Sequence, residues 1–384
     1  MRIPFNSSPR SSLGIEWELQ LIDPASRELA SAASEVLADL SGPDEEHPKA
    51  KHELFESTVE VITGVCMTVD EAKADLAATL AEVTDAAGAR GLGVMCSGTH
   101  PLSSWPVQQV SPDPRYAKLI EQMQWMARRL QIFGVHVHVG IRSPDKAIPI
   151  VNALTSYVPH FLALSASSPF WQGRDTGLAS SRSKIFEGLP TAGLPVQLSD
   201  WTEFERLMAT LVASGTIESI REVWWDIRPH PGFGTVELRI CDGMPTLQEI
   251  GAVAALAQCL VDQLNTQLDR GYRLPRPNTW VQRENKWRAA RHGLAADLIL
   301  DEHGTTRPLR EAISELVHDL SPVAQRLGCA AELDDVLAIL EVGPSYERQR
   351  KVAADNGGDV RSVVDSLLVE MRTGHLGTSD GAAS

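Results

Sequence analysis

The stretch Leu13-Gly14-Ile15-Glu16-Trp17-Glu18-Leu19-Gln20-Leu21 alternates strictly between apolar and polar residues. Leu13, Ile15, Trp17, Leu19 and Leu21 fall on one side of an extended chain, and Glu16, Glu18 and Gln20 on the other. This is the period of two that strand geometry imposes. Two carboxylates two residues apart on one strand face repel each other unless solvent or a cation lies between them. By itself the segment reads as an ordinary half-buried strand with a wet acidic face. The same division recurs in at least three later strands, and that recurrence makes it a candidate site.

Residues 51–62 (KHELFESTVEVI) read as a second strand. Glu56 and Glu60 share a face there, while Glu53 falls on the other, so either a bulge intervenes or Glu53 precedes the regular ladder. Residues 134–141 (GVHVHVGI) place Val135, Val137, Val139 and Ile141 on one face and His136 and His138 on the opposite one. Residues 222–228 (EVWWDIR) and 234–241 (GTVELRIC) form an expected antiparallel pair joined through Pro229-His230-Pro231-Gly232, with Thr235, Glu237, Arg239 and Cys241 facing one way. The pooled polar side carries Glu16, Glu18, Glu60, His136, His138, Glu237 and Arg239, with Glu53 joining if the parity is broken. An α+β fold follows, in which an antiparallel sheet keeps one functional face and gives the other to covering helices.

Carboxylates gathered in this way suit hard divalent cations, and a histidine among them favours magnesium or manganese over calcium. Magnesium held by one or two carboxylates is the usual partner of a nucleotide triphosphate. Neither a GxxxxGK[ST] loop nor a strand-borne GxGxxG is present, so ATP would be held by metals and by Arg or Lys side chains. An HxH pair alone is as often structural as ligating. The set of ExE, HxH and ExR with common strand parity is far more specific.

The chain has 384 residues, 43% hydrophobic and 22% charged, with a formal charge of -15. That charge argues against nucleic acid or an anionic membrane as partner, since both need clustered Lys and Arg. Five scattered cysteines without a CxxC suggest reduced thiols and a cytoplasmic setting. The polar N-terminus does not resemble a signal peptide, and no run of about 18 apolar residues is apparent. Helices are expected over 70–90, 114–131, 200–215, 247–270, 280–300 and in four later segments, so that the C-terminal half is helical. The irregular segment 169–195, which carries Arg174, Arg182 and Lys184, reads as a mobile or functional loop. The last residues, 375–384, read as a disordered tail after a single domain spanning 1–374.

The segments GIEWELQLID, KHELFESTVEVITG, FGVHVHVG, WWDIRPHPGFGTVELRICDG and RENKWRAARHG occur in this order. Together they resemble the type-2 glutamate–cysteine ligase (carboxylate–amine ligase) family of the glutamine synthetase superfamily. The resemblance implies a curved antiparallel sheet forming a metal-lined funnel, ATP and Mg2+ as cofactors (Mn2+ possible), and a homodimer by the superfamily's habit. It implies metal ligands at Glu16, Glu18, Glu53, Glu60, His136 and Glu237, with the parity of Glu53 resolved by a bulge. It places His138 near the nucleotide and Arg239 on phosphate or a substrate carboxylate, and Arg283 and Lys286 match a family motif whose roles are open; Arg228 would orient substrate or simply pair within the sheet. Arg182 and Lys184 would clamp an anion from a lid over 170–195, or merely solubilise the loop. The implied reaction is ATP-dependent activation of a glutamate γ-carboxylate as an acyl phosphate and its capture by an amine such as cysteine. An amidase or transferase on the same scaffold, and a non-catalytic binding protein, remain as alternatives.

Overall fold

The alternation of the first segment becomes a ten-residue strand, β1 (Leu13–Ile22), at the centre of a seven-stranded sheet. The structure is a computed structural model, described here over residues 2–42 and 45–376. The other strands of the sheet are β2 (Ala50–His52), β3 (Thr58–Ile62), β4 (Gly93–Met95), β5 (Val135–Gly140), β8 (Ile227–His230) and β9 (Thr235–Leu238). Short hairpins β6 (Phe170–Trp171) with β7 (Arg174–Asp175), and β10 (Asp297–Ile299) with β11 (Thr306–Pro308), lie outside it. Strand order is β2-β3-β1-β5-β9-β8, and every pairing is antiparallel. One edge of β1 is shared: β5 pairs along Leu13–Trp17 and β4 along Gln20–Ile22.

The helices are α1 (Ala33–Ser41), α2 (Val69–Ala89), α3 (Pro114–Met123), α4 (Trp125–Arg128), α5 (Pro144–Leu154), α6 (Val158–Ser165) and α7 (Arg182–Phe186). They continue as α8 (Trp201–Ala213), α9 (Leu247–Asp269), α10 (Thr279–His292), α11 (Leu309–Leu327), α12 (Ala330–Val342), α13 (Ser345–Asp355) and α14 (Arg361–Thr373). The apolar face of β1 is at most 2% exposed, and Val59, Val61, Val135, Val137, Val139, Val236 and Leu238 are fully buried beside it. Each such side chain contributes about 1.5–3 kcal/mol relative to exposure. Helix α9 lies against this face and also packs on α11 and α12, so it is buried on nearly every side. One continuous apolar core runs from Leu13 to Met371.

Several sequence expectations are corrected. Residues 51–62 are a hairpin and not one strand: β2 pairs back on β3, with Lys51 opposite Glu60. Glu53 therefore sits in the turn, and no bulge is needed to bring it to the polar side. The expected helix over 114–131 breaks at Gln124, whose φ of +49° is incompatible with helix continuation. The strand before the Pro-rich turn starts at Ile227 and includes Pro229 and His230, so the turn is Pro231–Gly234. Helix α10 stops at His292, where Gly293 takes φ +56° and leads into β10. Pro144–Ser165 is apolar and long enough to pass for a membrane span, yet 83% of its most apolar window is buried inside the protein. The tail expectation beyond Leu376 lies outside the described residues.

The N-terminal residues strap the β8–β9 turn. Asn6 N donates to Pro231 O, Asn6 Nδ2 to Gly232 O and Ser8 Oγ to Phe233 O, at 2.6–2.9 Å. A Cβ at Gly234 would lie 1.6 Å from the Asn6 carbonyl oxygen, so only glycine permits this approach. Further along, Asp262 of α9 fastens the strap. It accepts from Arg10 Nε at 3.0 Å, from Ser11 Oγ at 2.7 Å and from Arg326.

Burial alone would raise the Asp262 carboxyl, but hydrogen bonds from Arg326, Ser11 and Arg10 outweigh it and hold the group below the ordinary range. A depressed carboxylate contributes stability above its unfolded pKa and loses it as pH falls through the folded value. Asp262→Asn is expected to lower the unfolding free energy by about 1–3 kcal/mol in urea titrations near neutral pH. The deficit should stay constant down to about pH 5 and shrink only below about pH 4.

Candidate metal and nucleotide site

The polar face is laid out by strand register. Glu18 stands opposite Glu60, Glu16 opposite His136, and His138 opposite Glu237, which in turn faces Arg228. His136 Nδ1 is 2.8 Å from Glu16 Oε2, and His138 Nε2 is 3.3 Å from Glu16 Oε1. Two donor groups result, Glu16–Glu60–His136 and Glu16–His138–Glu237, each with ligand atoms within 4.8 Å of one another. They share the Glu16 carboxylate.

Charge is graded across this face. At the β8–β9 end, Arg228 grips Glu237 with two bonds, Nε–Oε2 at 2.7 Å and Nη2–Oε1 at 3.2 Å, and Arg239 Nη1 reaches Oε1 at 2.5 Å. At the β1–β3 end, Glu18, Glu53 and Glu60 make no ion pair among the described residues; Arg239, Arg182 and Arg115 attract them only from further off. Tyr116 Oη donates to Glu53 at 2.6 Å and Gly134 N to Glu18 at 2.5 Å. Among the described residues, the Glu60 carboxylate has no hydrogen bond or ion pair.

Titration follows that gradient. Burial, then the neighbouring Glu53 charge, pushes Glu18 up to about 8. Burial, together with Glu16, Glu53 and Glu18, raises Glu60 well above the carboxylate range. Burial also raises Glu53, against the opposing hydrogen bond from Tyr116. For Glu237 burial is outweighed by Arg228 and Arg239, which keep it far below the usual value. Glu16 is likewise held low, because hydrogen bonds from His136 and His138 overcome burial. Burial and Arg239 bring His136 down to about 4, whereas Glu237 and Glu16 lift His138 despite its burial.

The residues fit hard divalent cations. The donor set is mostly carboxylate oxygen with imidazole, Glu60 is an acid without a partner, and the buried His138 Nε2 faces only carboxylates, Glu16 Oε1 at 3.3 Å and Glu237 Oε1 at 4.0 Å. Arg239 Nε is also buried without a partner, which suits an anionic oxygen arriving at that end.

Other expected site residues are placed differently. Arg182 is buried, with its guanidinium 3.4 Å from the Arg239 and Ile240 carbonyls and packed against Gly134. It braces the strand end from beneath. Asp242 accepts from Ser167 N, Ser168 Oγ and Ser180 Oγ at 2.6–3.0 Å, which ties the 170–195 segment down at Ser180. Lys286 is 2% exposed and joins Asp226 at 2.6 Å and Glu187 at 2.5 Å, while Lys184 pairs with Glu187. Arg283 is exposed on α10. Sequence reasoning missed Tyr116 and Asp242. Nothing local marks the first; the serines at 165, 167, 168, 180, 181 and 183 were a usable signal for a buried acceptor such as the second.

The model of glutamate–cysteine ligase family 2 matches residues 12–366. The chain belongs to that family. A Frankia alni protein provisionally named glutamate–cysteine ligase 2-1 is 65% identical over 376 residues, covering 97% of this chain and 98% of the relative. A Thermobifida fusca protein provisionally named glutamate–cysteine ligase 2 is 57% identical, covering 99% and 96%. Among solved structures, the glutamate–cysteine ligase of Francisella tularensis in complex with AMP shares the fold, with TM-score 0.68 at 14% identity over 97% of this chain and 91% of that one. A bifunctional glutathione synthetase from Pasteurella multocida matches with TM-score 0.62 at 14% identity, over 95% of this chain and 51% of that one. The ligase family read from five separated motifs is thereby borne out, and so is the antiparallel α+β fold.

If crowding of carboxylates is what the site endures without a cation, Glu60→Gln relieves it. In chelator-treated protein this variant is expected to melt roughly 1–4 °C above wild type. Added magnesium or manganese should raise the wild-type melting temperature and leave the variant nearly unmoved. A variant that melts lower in chelator and gains as much as wild type from metal would show that Glu60 is no part of a cation site.

Proposed function

We propose that this chain is an ATP-dependent carboxylate–amine ligase of the glutamate–cysteine type, acting in the cytoplasm. It activates the γ-carboxylate of glutamate and joins it to an amine, with cysteine as the leading candidate. The observation that supports this most is the polar face itself, where two donor groups share Glu16 between an arginine end and an acid end. The names of the close relatives point the same way.

Each end of the gradient has its own chemistry. Arg228 and Arg239 fix Glu237 in one orientation, and Arg239 keeps Nε free to meet a phosphate or carboxylate oxygen. Polyanionic phosphates are favoured over that end, whereas at the other end a cation is favoured because it relieves the crowding that makes Glu18, Glu53 and Glu60 hold protons. Magnesium or manganese, when bound at Glu16, Glu60, His136, His138 and Glu237, would supply neutralisation of phosphate charge during γ-phosphoryl transfer. The γ-carboxylate oxygen takes the phosphoryl group, ADP leaves, and the amine nitrogen displaces phosphate at the activated carbonyl carbon. The ammonium first gives one proton to an ionised carboxylate of the site, and the second proton lost from nitrogen as the amide forms leaves with the phosphate. Asp242 and Arg182 hold the floor of the site, so that its donors do not reorganise as charge moves.

Purified protein with ATP, magnesium and glutamate is expected to release ADP in proportion to added cysteine, with one amide formed per ADP. Glu237→Gln should lower kcat by about 100-fold or more while the protein stays folded by circular dichroism. Turnover that needs phosphate but consumes no ATP would replace this reading with a transferase. Silence with every amine tried would leave a binding protein.

A further inference from the structure

Where α9 and α11 end beside the N-terminal strap, they enclose a cavity of about 550 Å³ that shares no lining residue with the carboxylate face. Gln263, Gln267 and Arg270 line it from one stripe at the end of α9, at helical spacing. Arg10 of the strap and Arg326 of α11 complete the polar wall. Both arginines grip the buried Asp262, and Arg10 also reaches Asp269, which Lys146 shares. Arg10, Arg270, Arg326 and Lys146 thus stand against two carboxylates, in a chain whose formal charge is -15. The C-termini of α9 and α11 carry about half a negative charge each, which offsets only part of that surplus.

Donors are left over as well. Among the described residues, the side chains of Gln263, Gln267 and Arg270 make no hydrogen bond or ion pair, and Arg326 uses only Nη2. Arginines that merely cap a helix end would donate to its last carbonyls. Arg270 and Arg326 donate to none.

We propose that this cavity binds a small metabolite bearing two or more carboxylate or phosphate groups. The guanidinium groups of Arg270 and Arg326 suit bidentate contacts to such groups, and the two glutamine amides add donors between charges. The volume falls in the range of about 300–1,000 Å³ usual for small-molecule pockets. Long polyanions are disfavoured, because the acidity of the rest of the chain repels them. The proposal does not depend on the ligase reading. It does bear on the mouth of the carboxylate face: Arg10 stands two residues from Ser8, whose hydroxyl holds the Phe233 carbonyl. An occupant that pins Arg10 against α9 therefore steadies the strap over the β8–β9 turn.

The probes are citrate and inorganic triphosphate, titrated calorimetrically without nucleotide into protein freed of metal by chelator and then dialysed. At least one is expected to bind, more weakly as salt is raised, and the preferred probe identifies carboxylate or phosphate as the recognised group. Arg270→Glu should weaken binding by about 10-fold or more. Because Arg270 has no partner in the protein, this variant should keep the wild-type melting temperature. An anion held instead at the Arg228–Arg239 end would bind both proteins equally. Amide hydrogen exchange over residues 6–12 should slow when the pocket is filled. The assignment is overturned if neither probe binds or if Arg270→Glu binds as tightly as wild type, and unchanged exchange at saturation overturns the link to the strap.

Discussion

Electrostatic repulsion among carboxylates on a single sheet face is the constraint to which the rest of this protein answers. Glu16, Glu18, Glu53 and Glu60 come from a strand, a turn and a second strand, and their register forces them together. Hydrophobic burial on the reverse of the same strands supplies the free energy that holds them there, since the residues between the acids are the centre of the core. Core and site are thus two sides of the same peptide segments. A one-residue slip of β1 would exchange them, sending leucines to the polar side and carboxylates into the core.

The charges are not relieved evenly, and that unevenness is informative. Arg228 and Arg239 satisfy Glu237 so fully that its carboxylate is ionised under all ordinary conditions, whereas Glu18 and Glu60 hold protons more tightly than isolated acids would. One face therefore offers an end suited to anions and an end suited to cations. A ligase that must bring a polyphosphate and an amine to the same carboxylate needs such a division.

Most of this was legible from period-two patterns. β1, β5 and β9 could be read because their apolar and polar residues alternate without interruption, and the register then followed from the faces. The reading failed where a turn intervened: residues 51–62 have the composition of one strand, and nothing in KHELFES announces a reversal that lifts Glu53 to the acids. Partners from distant sequence were invisible for another reason. Tyr116 lies on a helix with an ordinary amphipathic pattern, and its hydroxyl finds Glu53 only through tertiary packing. Arg182 and Lys286 stand out in the sequence by charge alone. Burial diverts them to main-chain carbonyls and to a Lys–Asp–Glu cluster, and sequence carries no direct signal of burial for a cation.

Asn6 and Ser8 act as a fastener, clasping the Pro231–Gly234 turn from outside the sheet. Recombinant handling of that end is consequently not neutral. A purification handle fused ahead of Ile3, or a start site placed a few codons downstream, would load or remove this clasp more than two hundred residues away along the chain. Preparations that differ only in their leader are therefore different proteins as far as the mouth of the site is concerned.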